Sequence, residues 1–411
     1  MKHRDLGKKA KIVKVLHNEY AAFRSEIVSW AVEHVLNPTK SILDPFAGTA
    51  RLLPYVATRK MKGHFNDLLP HHKLINEAKL PEVFIALQSL APDYWTATRE
   101  ELTKHLSPLR RSNLKVTSHW MRDDIVERFR RSWDNIDTIP GSIRPLFRAV
   151  LILCVRPLSG VTPSAKNRTW LRPGGMTTEV PLSDLIIAFL SRYRKYYETF
   201  YNGIDPKTNS RCEFTCLEAS KISKKRKYDA IFTSPPFPNR FDYAVTYAPE
   251  LHMLSRISLE YDPDIVSNGM LGTNRVSDYQ DPGADIEWLR MNAPATVKFL
   301  KEVNKLAPSD EGSYYLRYFT RYYADLYRFI LDAFKLLRQN GSLYMAVQNN
   351  IHRGELNNLS AFLKDFARRN DLTAEKVFRQ MKPHQGRRNI SAEHPIVLRK
   401  HEESIVRMVR R

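Results

Sequence analysis

Ser41-Ile42-Leu43-Asp44-Pro45-Phe46-Ala47-Gly48-Thr49-Ala50 is the stretch that decides the fold. A short buried strand runs into an acid, a proline and a set of small residues, and a helix is expected from about Arg51 to Ala57. Further on, Gly63, His64, Phe65, Asn66 and Asp67 read as a second short strand ending on a carboxylate, 23 residues after Asp44, with another helix after Pro70. Strand, small-residue turn, helix, strand and acid is the opening of a doubly wound α/β nucleotide-binding domain, in which that acid binds ribose hydroxyls. The turn carries one glycine, not the three of a dinucleotide fingerprint, and no phosphate-cradling lysine follows it. A P-loop is excluded, and the expected cofactor is a nucleoside without a triphosphate.

Upstream, Tyr20 to Leu36 places Phe23, Ile27, Trp30, Ala31 and Val35 near helical spacing and predicts an amphipathic helix closed by Asn37-Pro38. Downstream, residues 81–210 shift to long, charged, mainly helical segments, broken by a Pro-, Gly-, Ser- and Thr-rich loop from Arg156 to Pro181. The sheet pattern resumes with a strand from Cys212 to Cys216, then Glu218, then the apolar run Tyr228 to Thr233. Tyr247 to Ile257 predicts a helix, and residues 258–292 an irregular polar segment. Tyr314 to Arg338 predicts a long helix ending in Gln339-Asn340-Gly341, followed by a strand from Ser342 to Gln348, a helix from Leu359 to Arg369 and a final strand from Glu393 to Leu398. The division expected is therefore 1–80, a first half of the nucleotide-binding domain with its leading helix; 81–210, a helical insertion; and 211–411, the second half of that domain.

The run Tyr228 to Thr233 leads into Ser234-Pro235-Pro236-Phe237. Two prolines fix φ and offer carbonyls without N–H groups, the serine adds a hydroxyl, and the phenylalanine adds a ring face. At a strand end these four make a rigid pocket for a flat ring bearing an amino group. Ligands in open α/β sheets bind at the carboxyl ends of the strands, so this turn and Asp44 to Ala50 reinforce each other.

Lys plus Arg number 65 against 44 Asp plus Glu, a formal +21, and 19 Tyr, 19 Phe and 6 Trp supply rings as well. Charges for phosphates and rings for bases make nucleic acid the leading partner. Three cysteines, Cys154, Cys212 and Cys216, suggest a reducing compartment, and Cys212 and Cys216 have no second ligand pair for zinc, so no metal is expected. No stretch of 18 apolar residues occurs, and no membrane association is expected.

On these residues the chain resembles the AdoMet-dependent amino methyltransferases of DNA, which act on cytosine N4 or adenine N6. Asp44 to Ala50 is similar to their DPFxGxG-like cofactor turn, with Ala50 in place of the second glycine, and Ser234 to Phe237 to their (S/D/N)PP(F/Y/W) turn. Pro238, Asn239, Arg240, Phe241, Asp242 and Tyr243 resemble the PNRFDY continuation of one branch. The resemblance covers Tyr20 to Pro81 and Cys212 to Leu398 and implies a Rossmann-like class I methyltransferase sheet. It implies S-adenosyl-L-methionine as cofactor: Asp44, Pro45, Phe46, Ala47 and Gly48 at its methionine part, Asp67 at the ribose, Glu218 at the adenine amino group, and Phe23 in the N-terminal cofactor segment. Phe65 and Leu68 would flank the adenine.

Serine in the first position is associated with N4-cytosine members, so the expected enzyme methylates a flipped cytosine in double-stranded DNA, in restriction-modification or epigenetic marking. Its expected setting is a prokaryotic cytoplasm and nucleoid, with a cognate restriction endonuclease as companion. Adenine N6, guanine N2 of transfer RNA, and a non-catalytic DNA-binding subunit of the same fold are the alternatives, in that order. Ser234 Oγ and the Pro235 carbonyl would draw the amino hydrogens out of the ring plane, and Phe237 would stack on the base. No cysteine follows a proline, which argues against a C5 mechanism. Lys166, Arg168, Trp170, Arg172 and Arg240 are the DNA-contact candidates. Arg110-Arg111, Arg128, Arg130, Arg131, Lys224 to Lys227 and Arg387-Arg388 are further basic clusters.

Overall fold

The computed structural model of the protein describes residues 24–37, 39–59, 61–90, 96, 123–159, 162–163, 171–172, 182–238, 242–257, 263–273, 276, 279, 281–305, 309–352, 354–381 and 402–411. Phe23, Lys166, Arg168, Trp170, Arg240, Arg110-Arg111, Arg387-Arg388 and the strand expected at Glu393 to Leu398 lie outside the described residues.

The protein is α/β, with one mostly parallel seven-stranded sheet. In chain order its strands are β1 (Ser41–Asp44), β2 (Lys62–Asn66), β3 (Arg211–Thr215), β4 (Tyr228–Thr233), β5 (Leu337–Gln348), β6 (Leu372–Met381) and β7 (Glu402–Arg410). Their order across the sheet is β6-β7-β5-β4-β1-β2-β3. β1 and β4, β4 and β5, and β2 and β3 pair in parallel, whereas β7 runs antiparallel to both β5 and β6. The chain divides into two compact units: Met1–Leu36, Ala47–Leu217 and Tyr243–Ser267 form the first, and Asn37–Phe46, Glu218–Asp242 and Asn268–Arg411 the second.

In the first unit the helix Leu182–Tyr201 presents Tyr193, Tyr196, Tyr197 and Tyr201 at helical spacing, and all four rings are fully buried. Buried hydroxyls need partners, and these find carbonyls in and just past the last turn of the helix Pro70–Glu77: Tyr193 donates to Ile75 at 3.2 Å, Tyr201 to Lys79 at 2.6 Å, and Tyr197 to Ala78. The last carbonyls of a helix have no intrahelical donors, and the tyrosine face satisfies them here. This fixes the end of Pro70–Glu77, from which Asn76 and Lys79 reach toward β1's turn.

The second unit is organised around the helix Ser309–Leu336, whose Tyr318, Phe319, Tyr322, Tyr323, Leu326, Tyr327 and Ile330 are buried in its core. Tyr327 stacks on Phe366 of the helix Leu359–Arg369 with centroids 4.3 Å apart. At the start of the paired strands, Asp229 accepts hydrogen bonds from the Lys40 amide (3.0 Å), the Ser41 amide (2.8 Å) and Ser41 Oγ (2.9 Å), and pairs with Arg338 at 2.8 Å. These bonds, and Arg338, outweigh burial and hold the Asp229 carboxyl below the usual carboxylate range.

Several elements differ from expectation. The first described helix is Ser25–His34, and the one after β1 is Leu53–Ala57, two residues later than expected. β5 begins at Leu337, paired with Tyr228, and Gln339, Asn340 and Gly341 bulge out before pairing resumes at Ser342. The segment 258–292, expected to be irregular, contains helices Pro263–Gly269 and Gly283–Asn292; the latter buries Leu289 alone and so lacks an apolar stripe to betray it. Arg156 to Leu158, expected in a loop, ends the helix Arg144–Leu158. β6 and β7 were not expected at all. In β6 a register shift between Lys376 and Phe378 breaks the period-two pattern on which strand detection rests.

Candidate functional site

In the second unit, the ends of β1 and β4 are joined. Asp44, 1% exposed, accepts a 2.7 Å hydrogen bond from Thr233 Oγ1, the last residue of β4, and a 3.2 Å bond from the Phe46 amide of its own turn. The parallel register, Leu43 opposite Ile231, makes this possible because it brings Asp44 and Thr233 to the same end of the sheet. One carboxylate therefore caps the Asp44-Pro45-Phe46 turn and holds the residue before Ser234. Pro45 is buried, and the Phe46 ring meets Phe329 edge to face at 4.9 Å.

Beyond Thr233, Ser234, Pro236 and Phe237 are half-buried and Pro235 and Pro238 buried. The Pro236 carbonyl accepts from the Tyr322 hydroxyl at 2.8 Å and the Pro238 carbonyl from Asn350 Nδ2 at 3.0 Å. Glu218, in the same unit, precedes the 3-10 turn Ala219–Lys221 and pairs with Lys221 at 2.6 Å. Gly269 packs against it so closely that a Cβ there would lie 2.8 Å from Glu218 Cγ. A side chain at 269 would displace the carboxylate.

In the first unit, Ala47 continues the turn through a 2.8 Å bond from its amide to the Asn66 carbonyl. Gly48 and Ala50 both adopt positive φ, +52° and +44°. Left-handed backbone costs an alanine about 1 kcal/mol more than a glycine, so position 50 is one where a glycine would sit without strain. Asp67 accepts from the Gly48 amide at 2.7 Å through Oδ2 and from the Leu69 amide at 2.9 Å through Oδ1, and His72 Nδ1 lies 3.2 Å from Oδ1. Burial alone would raise the Asp67 carboxyl, but His72 and the two amides outweigh it and hold it below the usual carboxylate range. Asn76 Nδ2 donates to the Gly48 carbonyl at 2.8 Å and Lys79 Nζ to the Thr49 carbonyl at 2.5 Å.

The same unit carries a second polar cluster. Arg156 forms a two-pronged pair with Glu250, both contacts 2.8 Å, and donates to the Thr246 carbonyl. Its guanidinium lies over Tyr247, 5.3 Å from the centroid, and that ring touches His71 and His72 at 4.6 and 5.2 Å. Burial raises the Glu250 carboxyl despite the arginine.

The second unit thus gathers Asp44, Pro45, Phe46, Glu218 and Ser234 to Phe237, and the first gathers Ala47, Gly48 and Asp67. Phe65 is a core residue, stacked on Phe214 at 5.9 Å. Arg172 lies in the two-residue strand Leu171–Arg172. The basic run at 224–227 is in part a strut: Lys224 pairs with Asp332 at 3.0 Å and Lys227 Nζ donates to the Lys335 carbonyl, where a cation suits a helix C-terminus. Arg130 and Arg131 both pair with Glu127, and such exposed helix pairs are worth tenths of a kcal/mol. Burial pushes the thiols of Cys154, Cys212 and Cys216 upward, so none is poised as a thiolate.

Sequence reasoning missed Thr233, His72, Asn76, Tyr322 and Asn350. His72 and Asn76 carried a signal, since a spacing of four after Pro70 puts both on one helix face. Tyr322 and Asn350 carried none, being 86 and 112 residues from the carbonyls they hold. The fold defines an α/β protein with a mostly parallel seven-stranded sheet. No protein-family model matches the chain, and no curated protein matches it. Among the described residues, no helix is long and apolar enough to cross a membrane.

Proposed function

We propose that the protein is an AdoMet-dependent DNA methyltransferase acting on the exocyclic N4 of a cytosine flipped out of duplex DNA. The observation that carries this reading is the Thr233–Asp44 bond, which ties the cofactor-type turn after β1 to the Ser-Pro-Pro-Phe turn after β4. The strand order, with β7 reversed between β5 and β6, suits the class I methyltransferase sheet that the resemblance implies.

The residues suit the cofactor in three respects. Gly48, at positive φ, offers a backbone without a side chain at the turn, as a close ligand approach requires. Asp67 is held ionised and in place by two amides and His72, and a carboxylate oxygen accepts more than one bond, so capacity for a ribose diol remains. Glu218 is a carboxylate set by Gly269, suited to an adenine amino group. When bound, AdoMet supplies a sulfonium methyl group of high electrophilicity.

The chain's own residues do the rest. Ser234 Oγ and the Pro235 carbonyl accept the two amino hydrogens, which localises the nitrogen lone pair that ring conjugation otherwise spreads. Phe237 stacks on the extruded base, and Asp44, through Thr233, keeps the nucleophile's turn at the cofactor's end of the sheet. The raised cysteine thiols offer no nucleophile for C5 chemistry. A formal +21 supplies the phosphate attraction that offsets a flipping cost of a few kcal/mol.

The test is Ser234→Ala, assayed for labelled methyl transfer to genomic DNA and for AdoMet binding by calorimetry. Turnover should fall about 10- to 100-fold with AdoMet affinity unchanged. Full activity in this variant contradicts the acceptor role of Ser234.

A further inference from the structure

The backbone of Ser234 to Pro238 has few torsions left to it. Pyrrolidine rings fix φ at Pro235, Pro236 and Pro238, and a following proline restricts ψ at Ser234, Pro235 and Phe237. Between the Pro235 carbonyl and the Phe237 ring, the soft torsions that remain are ψ of Pro236 and φ of Phe237, and of these ψ of Pro236 is the one that also turns a carbonyl. Rotation about it turns Phe237 relative to Ser234 and Pro235, and the direction of the Pro236 carbonyl reports it directly. That carbonyl is the one the Tyr322 hydroxyl binds, at 2.8 Å.

Tyr322 is itself well held. It is fully buried in the helix Ser309–Leu336, and Gly272, at φ +77°, lets a neighbouring segment press on its ring: a Cβ at 272 would lie 3.0 Å from Tyr322 Cδ2. Two turns along the same helix, Phe329 packs on Phe46 of the Asp44 turn at 4.9 Å. Positions 322 and 329 share a helix face, so one rigid element touches both turns.

We propose that Tyr322 is a positioning residue for methyl transfer, its hydroxyl setting the angle between the Ser234/Pro235 acceptors and the Phe237 ring by fixing the Pro236 carbonyl. This rests on the methyltransferase reading. Removing the hydroxyl leaves the ring in its packing and frees the torsion, so the amino acceptors and the stacking ring hold their catalytic angle for a smaller fraction of the time. Binding of either substrate draws on contacts made elsewhere, and the loss falls on the chemical step.

The experiment compares the wild-type protein with Tyr322→Phe in steady-state methyl transfer to genomic DNA, AdoMet calorimetry and thermal unfolding. The result expected is a kcat about tenfold lower, the worth of one well-made hydrogen bond, with the KM for DNA and the AdoMet Kd within about twofold. A Tyr322→Leu variant, which loses ring and hydroxyl together, should be slower still. Wild-type kcat in Tyr322→Phe overturns the positioning role while leaving the methyltransferase reading intact. A fall in thermal stability and AdoMet affinity that matches the loss of kcat also overturns it, since Tyr322 is then scaffold only. A wild-type protein that binds AdoMet and transfers no methyl group to DNA overturns both.

Discussion

The Ala47–Ala50 turn of the first unit is held by a carboxylate, an amide and an ammonium group, from Asp67, Asn76 and Lys79. The Ser234–Pro238 turn of the second unit is held by pyrrolidine rings and two neutral donors, Tyr322 and Asn350. The first is fixed by charge and answers to protonation. The second is fixed by covalent geometry, carries no titrating group of its own, and answers to shape. A turn that must display backbone to a ligand needs groups that orient N–H and C=O dipoles. A turn that must present acceptors at a fixed angle needs fewer torsions.

The largest consequence is expected in the first unit, at the buried ion pair beside its charge-held turn. Arg156→Leu leaves the buried Glu250 carboxylate without its partner, beside the Tyr247 and His72 rings, and should destabilise the protein by about 3–5 kcal/mol in chemical unfolding. Replacing both partners with leucine should recover much of that loss, because the penalty is the uncompensated charge. A double variant as unstable as the single one contradicts this account.

Asp67→Asn comes next. Loss of the charge that orders the Gly48 and Leu69 amides should raise the AdoMet Kd by about 10- to 100-fold, or about 1.5–3 kcal/mol. The same carboxyl gives a pH signature. Its folded value is depressed, so the stability it contributes is fully present above the unfolded value of about 4 and is lost as the pH falls through the folded value. Unfolding followed from pH 6 downward should therefore show a weaker acid dependence in Asp67→Asn than in the native protein.

Asp325 tests the opposite sign within the second unit. Burial pushes its carboxyl up to about 6, against the pull of Arg321 and Arg328, so its contribution is greatest below pH 4 and falls as pH rises through about 6. Asp325→Asn should raise stability at pH 8 by about 1 kcal/mol and do nothing at pH 4. The gain is small because 38% of that side chain meets water and is screened. The smallest effect is expected at Ala50, where Ala50→Gly relieves left-handed strain but empties a fully buried methyl site; the two nearly cancel, within about 1 kcal/mol.

The central strands and both turns were legible because their signals are local: short segments of four to six residues, each followed closely by an acid or by prolines. β1, β2, β3 and β4 fall within a residue of where pattern alone puts them. β6 and β7 were not, since β6 is broken by a bulge and β7, in Glu402-Glu403-Ser404-Ile405-Val406-Arg407, buries two acids and a serine inside the sheet. The residues naming a candidate chemistry were readable for the same local reason. Those that hold them in place by hydrogen bonds were not, because Tyr322, Asn350 and Thr233 meet partners distant in the sequence or across the sheet.

The most direct test of the central claim is to incubate the protein with isotopically labelled AdoMet and genomic DNA, digest the DNA to nucleosides, and identify the labelled product by mass. The account predicts labelled N4-methyldeoxycytidine, lost in Ser234→Ala. Labelled N6-methyldeoxyadenosine contradicts the choice of base, and the absence of any methylated nucleoside while label passes to transfer RNA contradicts the DNA methyltransferase reading itself.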